Sequence, residues 1–494
     1  MEPLDWAVVG TYALIVIGLG VMATRKQKNT DEYFRGSRAL PWWAIGISII
    51  ATAFSAASLL GGPGEGYSHG FLWLQLQLGD LLGYALVCAF FIPVYVKLNI
   101  TTAYEYLEKR FDPKTRSLGA ICFLLFVIVR LGALLYGASL VFSQIAGISI
   151  DSAIIAVGVV SIGYTIAGGL AAVIWTDVVQ FFMIIIGVGV AIFCAARGVD
   201  GGFAGVIGIA AETRKLQAID LSWNPSSIRS LPTATLAYGI LALAVAGTNQ
   251  QTVQRYVSCS DTKSAQKAAM LGWFTGFVGV AATLILGVFL FAFYSSRPGL
   301  LPVDIKPDKI FPFFIASELP PGVAGLLVAA VFAAAMSSID SALHSLSTCI
   351  IVDFYKRHFK PNEDEAHYLK AARVQIAFWG IIGIGAAFYV ARTGESLLPF
   401  LVKYTSYFIG PLLGLFVLGI ACKRTNGNGA FWGALSSVAI LLGLINYGPE
   451  LIDGFKIPGI WYSCITASLT VIIGYLISLA GPAPDPDVIK ELEA

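Results

Sequence analysis

Apolar residues recur along this chain in blocks of roughly 20, the length an α-helix needs to cross a hydrocarbon core of about 30 Å. About thirteen such spans are predicted, over residues 5–24, 41–61, 71–98, 117–147, 151–168, 171–196, 232–254, 268–295, 321–354, 371–391, 396–422, 428–447 and 460–480. The first block is too long for the apolar core of a signal peptide, has no basic segment before it and ends without a cleavage pattern, so it counts as a helix. The pattern predicts an all-α polytopic membrane protein made of one transmembrane domain, 1–494, without a soluble module. Two longer connections, 197–231 and 296–320, mix Pro, Gly, Trp and charge and are expected to form ordered caps. The polar tail 481–494 is expected to be loose.

Composition sharpens the class. Of 494 residues, 57% are hydrophobic and 13% charged, with a mean hydropathy of +0.76, more apolar surface than a water-soluble fold can hide. A net charge of +2 gives no reason to expect a nucleic-acid partner, and the 7 cysteines are scattered without metal-ligand or disulfide spacing. Lysine and arginine set the orientation, because cytoplasmic connections are enriched in them. With the N-terminus outside, 21 of the 32 basic residues fall in inside segments and 9 in outside ones, while Arg130 and Lys403 lie within spans. The bias predicts an N-out, C-in protein of the cell (inner) membrane, surrounded by lipid and with no obligate protein partner evident.

An ionisable side chain at the bilayer centre costs about 2.5–3.5 kcal/mol on insertion scales, so each one within a span is a functional candidate. Asp80, Arg130, Asp177, Asp340 and Lys403 qualify. They can also be structural pairs between helices, Asp80 with Arg130 being the plainest case. The densest polar cluster is AAAMSSIDSALHSLST at 333–348, where Ala334, Ser337, Ser338 and Ser341 share one helical face. Close helix packing accounts for the small residues. It does not account for Asp340 among these serines, and oxygen donors gathered with a carboxylate are what a hard cation such as Na⁺ requires.

Two further segments invite a break in the helix. In 247–256, GTNQQTVQRY closes an apolar run, which makes Asn249 and Gln250 candidate substrate contacts; 51–59, ATAFSAASL, is small and hydroxyl-rich ahead of the Gly61-Gly62-Pro63-Gly64 run. Transporters interrupt helices where freed backbone groups can face a ligand or water.

With these motifs in place, the chain resembles the sodium:solute symporter family along nearly its whole length. The resemblance rests on DEYFRG at 31–36, TAYEYLEKRF at 102–111, YTIAGGLAAVIWTDVVQ at 164–180, VQRY at 253–256 and the serine-rich helix, in order and at the expected spacing. It implies a LeuT-like core of two inverted five-helix repeats, 41–196 and 232–422, flanked by the helix 5–24 and by two helices within 428–480. It also implies alternating access powered by one or two sodium ions. Carried over residue by residue, the main sodium site takes the carbonyls of Ala51, Phe54 and Ala334 and the hydroxyls of Ser337 and Ser338. A possible second site takes Asp177 with Ser337, Asp340 and Ser341, although Asp340 stands where the sialic acid transporters of the family have serine.

For the substrate, Arg130 occupies the position whose arginine meets the substrate carboxylate in those transporters, and Ser55, Ser58 and Gln77 match or nearly match their contacts; Ala53 and Ala56 lack hydroxyls found there. Lys403 adds a second cation that favours an anion. The resemblance thus points to a sodium-coupled symporter that imports a small organic anion such as sialic acid or a monocarboxylate. A neutral sugar or an amino acid is the alternative substrate class, and a transporter-like sensor is a further alternative. No channel filter repeats along the spans, and of the 4 histidines only His344 lies within one, so no enzyme is expected.

Overall fold

Inside hydrocarbon there is no water to bond the backbone, so its N–H and C=O groups must be satisfied within the chain, and these apolar blocks do so as helices. The computed structural model describes residues 2–24, 30–38, 40–166, 169–451, 456–487 and 489, and no strand occurs among them. Part of the basic run 25–38 and the end of the tail, residues 488 and 490–494, lie outside the described residues. Among the described residues nine helical stretches are long and apolar enough to cross a membrane, from Ala56–Lys97 to Gly459–Ala480. Five shorter apolar helices accompany them, including Pro3–Val16, Trp42–Ala53 and Ile150–Gly163. Both expected caps contain a helix, Gly202–Glu212 and Pro307–Ser317.

The predicted spans differ from the helices most clearly at 41–61. That block is two helices, Trp42–Ala53 and Ala56–His69, separated at Phe54 and Ser55. The Gly61-Gly62-Pro63-Gly64 run does not end the span; it lies buried within the second helix. The helix turns only at Gly70, whose φ of 66° suits a residue without a Cβ. The predicted 232–254 span is likewise two helices, Tyr238–Thr248 and Gln250–Tyr256, with Asn249 extended between them.

Glycine in these helices serves packing. In a membrane, helices associate through close van der Waals contact, and small residues let backbones approach. The long Thr262–Ser295 helix packs on both halves of the broken span. A Cβ on Gly272 would sit 3.0 Å from the Ile49 side chain, one on Gly66 would collide with the Leu284 carbonyl oxygen, and one on Gly287 with that of Pro63. The N-terminal helix Pro3–Thr24 packs against Leu170–Arg197 and Val323–Cys349. Asp5 secures it by accepting from the backbone N–H groups of Gly322 (2.7 Å) and Gly325 (2.8 Å).

Gly287→Ala must push the two helices apart and is expected to destabilise the protein by about 1–3 kcal/mol. Gly189→Ala, which meets nothing within 4 Å, is the matched control and should leave the thermal melting midpoint in detergent unchanged or slightly raised.

Candidate functional site

The break at Phe54 creates the polar centre. Its N–H still donates to the Ile50 carbonyl (2.6 Å), but Phe54 itself (φ −85°, ψ 89°) and the extended Ser55 leave the helical path. The carbonyls of the last turn then have no onward helical donor, and they are met from the side. Ala51 O accepts from Ser337 Oγ at 2.9 Å, and Thr52 O accepts from Ser338 Oγ at 3.0 Å. Arg130 Nη2 donates to Thr52 O (3.0 Å) and Ala53 O (3.3 Å). Ser337 Oγ also lies 3.1 Å from the Ala334 carbonyl. Ala51, Ala334, Ser337 and Ser338 are fully buried, and Phe54 lays its ring against Gly279. Hydroxyl and carbonyl oxygens from the Trp42–Ala53 and Val323–Cys349 helices thus converge without a fixed positive charge bonded to the two serines.

Beside the break lies a cavity lined by Ser55, Ser58, Gln77 and Arg130, together with Asp80, Tyr84, Tyr238 and Trp273. Asp80 and Arg130 share this cavity without forming an ion pair. Arg130 Nε is buried with no hydrogen-bond partner.

A second polar cluster joins Asp177, Ser48, Thr52, Ser341 and Arg255. Asp177 Oδ2 accepts from Ser48 Oγ (2.6 Å) and Arg255 Nη2 (3.0 Å), and the same Nη2 donates to Ser341 Oγ (2.7 Å), which lies 2.9 Å from Thr52 Oγ1. A fixed guanidinium therefore bridges Asp177 and Ser341. Asp177 Oδ1 remains buried without a partner, and Asp340 Oδ1 accepts from Thr165 Oγ1 at 2.6 Å. Reading the polar run 247–256 as a helix end places Arg255 among the cytoplasmic charges; the structure buries it to 1% exposure and pairs it with Asp177. The available signal was Asp177 itself, an acid in a span with no basic side chain assigned to it.

Three expected substrate contacts lie elsewhere. Gln250 is consumed at both ends, accepting from the Ala103 N–H (2.8 Å) and donating to the Thr101 carbonyl (2.9 Å). Asn249 caps the next helix by accepting from the Gln251 N–H (3.0 Å). The break at 249 thus anchors a connection and does not line the cavity. Lys403 sits 3.0 Å from Glu395 Oε1 and faces a separate cavity with Trp73 and Arg229. Leu401, Val402 and Thr405 of the same helix line the main cavity, and at 100° per residue Lys403 points away from their face.

The sequence matches the sodium:solute symporter family over residues 33–436. The chain belongs to that family. It is 32% identical over 481 residues to the sodium/sialic acid symporter NanT of Aliivibrio fischeri, covering 96% of this chain and 92% of that one. The sodium/glucose cotransporter of Vibrio parahaemolyticus is 30% identical over 462 residues, 89% of this chain and 84% of its own. A solved structure of a sodium-coupled sialic acid symporter, substrate-bound and outward-open, with a novel sodium site, superposes with a TM-score of 0.88 at 30% identity, covering 98% and 99% of the two chains. This symporter is a multi-pass membrane transporter with sodium as its coupling ion, and it is not an enzyme.

Removing one member of a buried ion pair strands the other charge. Asp177→Asn and Arg255→Gln are each expected to cost about 3 kcal/mol of stability, and the double variant should cost less than the two added. Denaturation of the four proteins under one condition tests this coupling.

Proposed function

We propose that this symporter carries a sialic-acid-like organic anion inward together with sodium, and that Arg130 receives the substrate carboxylate. The observation that carries this reading is the guanidinium itself. Two carbonyls at the helix break orient Arg130, it has no carboxylate partner among the described residues, and it lines the cavity with Nε unsatisfied. A buried donor left unpaired costs about 1–3 kcal/mol, which a bound carboxylate would recover. Ser55, Ser58, Gln77 and Asp80 then face the hydroxyls of an acid sugar.

Sodium occupies the oxygens of Ala51, Phe54, Ala334, Ser337 and Ser338. These come from the last turn before the break, from the break itself and from a second helix, so the ion holds the two helices together and favours a formed pocket; substrate and ion each raise the affinity for the other. Release of sodium on the inner side loosens that contact. The repeats are 41–196 and 232–422, in an N-out, C-in arrangement of about thirteen spans in the inner membrane. One charge crossing 100 mV contributes about 2.3 kcal/mol, and a tenfold sodium gradient about 1.4 kcal/mol. An anion moving with one sodium loses the voltage term, so a second ion is physically useful. The unpartnered Asp177 Oδ1 supports that second site, taken with Ser337, Asp340 and Ser341, where Arg255 Nη2 bridges Asp177 Oδ2 and Ser341 Oγ.

A neutral sugar is the second reading, supported by Asp80 and Gln77 in the same cavity. Uptake into proteoliposomes of a sialic acid, a monocarboxylate and a neutral sugar, with and without a sodium gradient, separates the two. Ser337→Ala or Ser338→Ala is expected to raise the sodium concentration for half-maximal uptake by about tenfold, the effect of losing roughly 1.4 kcal/mol of ion binding; unchanged sodium dependence in both rejects the main site. Arg130→Gln should abolish acid-sugar binding, with sodium-induced thermal stabilisation retained. Persisting uptake of the acid assigns Arg130 a structural role.

A further inference from the structure

Within the cap 197–231, the run between Glu212 and Thr233 has no helix or strand. From 219 to 223 every second residue is apolar and exposed: Ile219 is 51% exposed, Leu221 75% and Trp223 81%, while Ala218 and Asp220 are half-buried. The backbone here is held at several points. The Asp220 N–H donates to Gln75 Oε1 (3.3 Å), the Asp220 carbonyl accepts from the Leu231 N–H (2.8 Å), and the Pro225 carbonyl accepts from Trp461 Nε1 (2.8 Å). A fixed backbone cannot fold these three side chains away, so they form a standing apolar patch of the kind that marks an interaction surface.

Two of those bonds set its depth. Gln75 directly precedes the helix Leu76–Leu86, and Trp461 directly precedes Tyr462–Ala480; both helices belong to stretches long and apolar enough to cross a membrane. The run 219–225 therefore lies at the level where two spans enter the bilayer from the same face. Leu78 and Leu236 are exposed just beyond that level, on helical segments so close that a Cβ on Gly79 would collide with the Ala234 carbonyl oxygen. Their lipid-facing surface continues into Ile219, Leu221 and Trp223. Gln217, Ser222 and Asn224 are exposed among these apolar residues. That mixture suits neither bulk water nor hydrocarbon; it matches the boundary between headgroups and acyl chains, where tryptophan is enriched.

We propose that residues 219–223 seat in the headgroup–acyl boundary of one leaflet, with Leu221 and Trp223 entering it most deeply, so that the cap is anchored to lipid as well as to protein. The anchor bears on a transport helix. Lys215 of the same cap donates to the carbonyls of Tyr67 (2.7 Å) and Ser68 (2.8 Å), and Arg229 pairs with Glu65 (2.7 Å), so the cap holds the end of the helix Ala56–His69 that carries Ser58. Lipid seating gives that end a fixed reference at the membrane surface. The surface stands apart from the substrate and sodium residues, so it does not depend on their assignment.

Tryptophan fluorescence of the full-length protein in phosphatidylcholine vesicles tests this, with bromine placed either near the headgroup end or near the methyl end of the acyl chains. The Trp223 signal is the difference between wild type and Trp223→Phe, a substitution at an exposed side chain that should leave the melting midpoint unchanged. The expected result is loss of about half of that signal with the shallow bromine, a smaller loss with the deep one and little quenching by aqueous iodide. Adding Leu221→Trp to Trp223→Phe should restore a signal with the same pattern. Quenching by iodide and by neither lipid overturns the proposal in favour of a water-facing loop. Equal or stronger loss with the deep bromine places the run in hydrocarbon and also overturns it. Protection from iodide and from both bromines overturns it in favour of a surface covered by a protein partner or a second copy of the chain.

Discussion

The structure depends on three backbone carbonyls that cannot be satisfied along their own helix. Once the chain leaves the helical path at Phe54, the oxygens of Ala51, Thr52 and Ala53 face the interior of a membrane protein, where an unpaired acceptor is costly. Two serines from one distant helix and an arginine from another reach them. The same contacts fix the relative position of the Trp42–Ala53, Pro113–Ala146 and Val323–Cys349 helices. The proposed ion site and the proposed anion site therefore share the Thr52–Ala53 turn, and coupling between them requires no long pathway.

The neighbouring Asp177–Arg255 pair applies the same constraint in stronger form. Two full charges out of water are tolerable only when well paired and hydrogen-bonded. Ser48, Ser341 and the Gln251 carbonyl supply further bonds, the last accepting from Arg255 Nη1 at 2.7 Å, while Asp177 Oδ1 stays without one. Because Gln251 belongs to the helix that follows the second break, this pair connects the two interrupted regions of the chain. Asn249 and Gln250 complete the picture: their polarity serves the backbone at the break and the connection at 101–103. A polar run in a membrane span can thus arise from the needs of an interrupted helix alone.

Outside the polar centre, packing follows from glycine placement. The Thr262–Ser295 helix approaches both halves of the broken span at positions where a single added methyl would meet backbone atoms. The break is held from the side by hydroxyls and from behind by close helix contact, and Ala53, Ser55 and Arg130 line the cavity beside it.

Much of this was legible in the order of residues. Continuous twenty-residue apolar blocks indicate membrane helices, because the other structure that satisfies its backbone groups in hydrocarbon, the closed barrel, uses shorter strands of alternating polarity. The serines at 337, 338 and 341 declare one polar face through helical periodicity, and small hydroxyl-rich residues at 51–59 mark a place where a helix can open. These are local properties. The point of the break, the continuation of the helix through Gly61 to His69, the burial of Arg255 and the turning of Lys403 toward Glu395 were decided only in three dimensions. Each depends on a partner far away in the chain, and whether a charged or polar side chain faces a ligand, a counter-ion or a stray carbonyl is a matter of what the other helices bring to it.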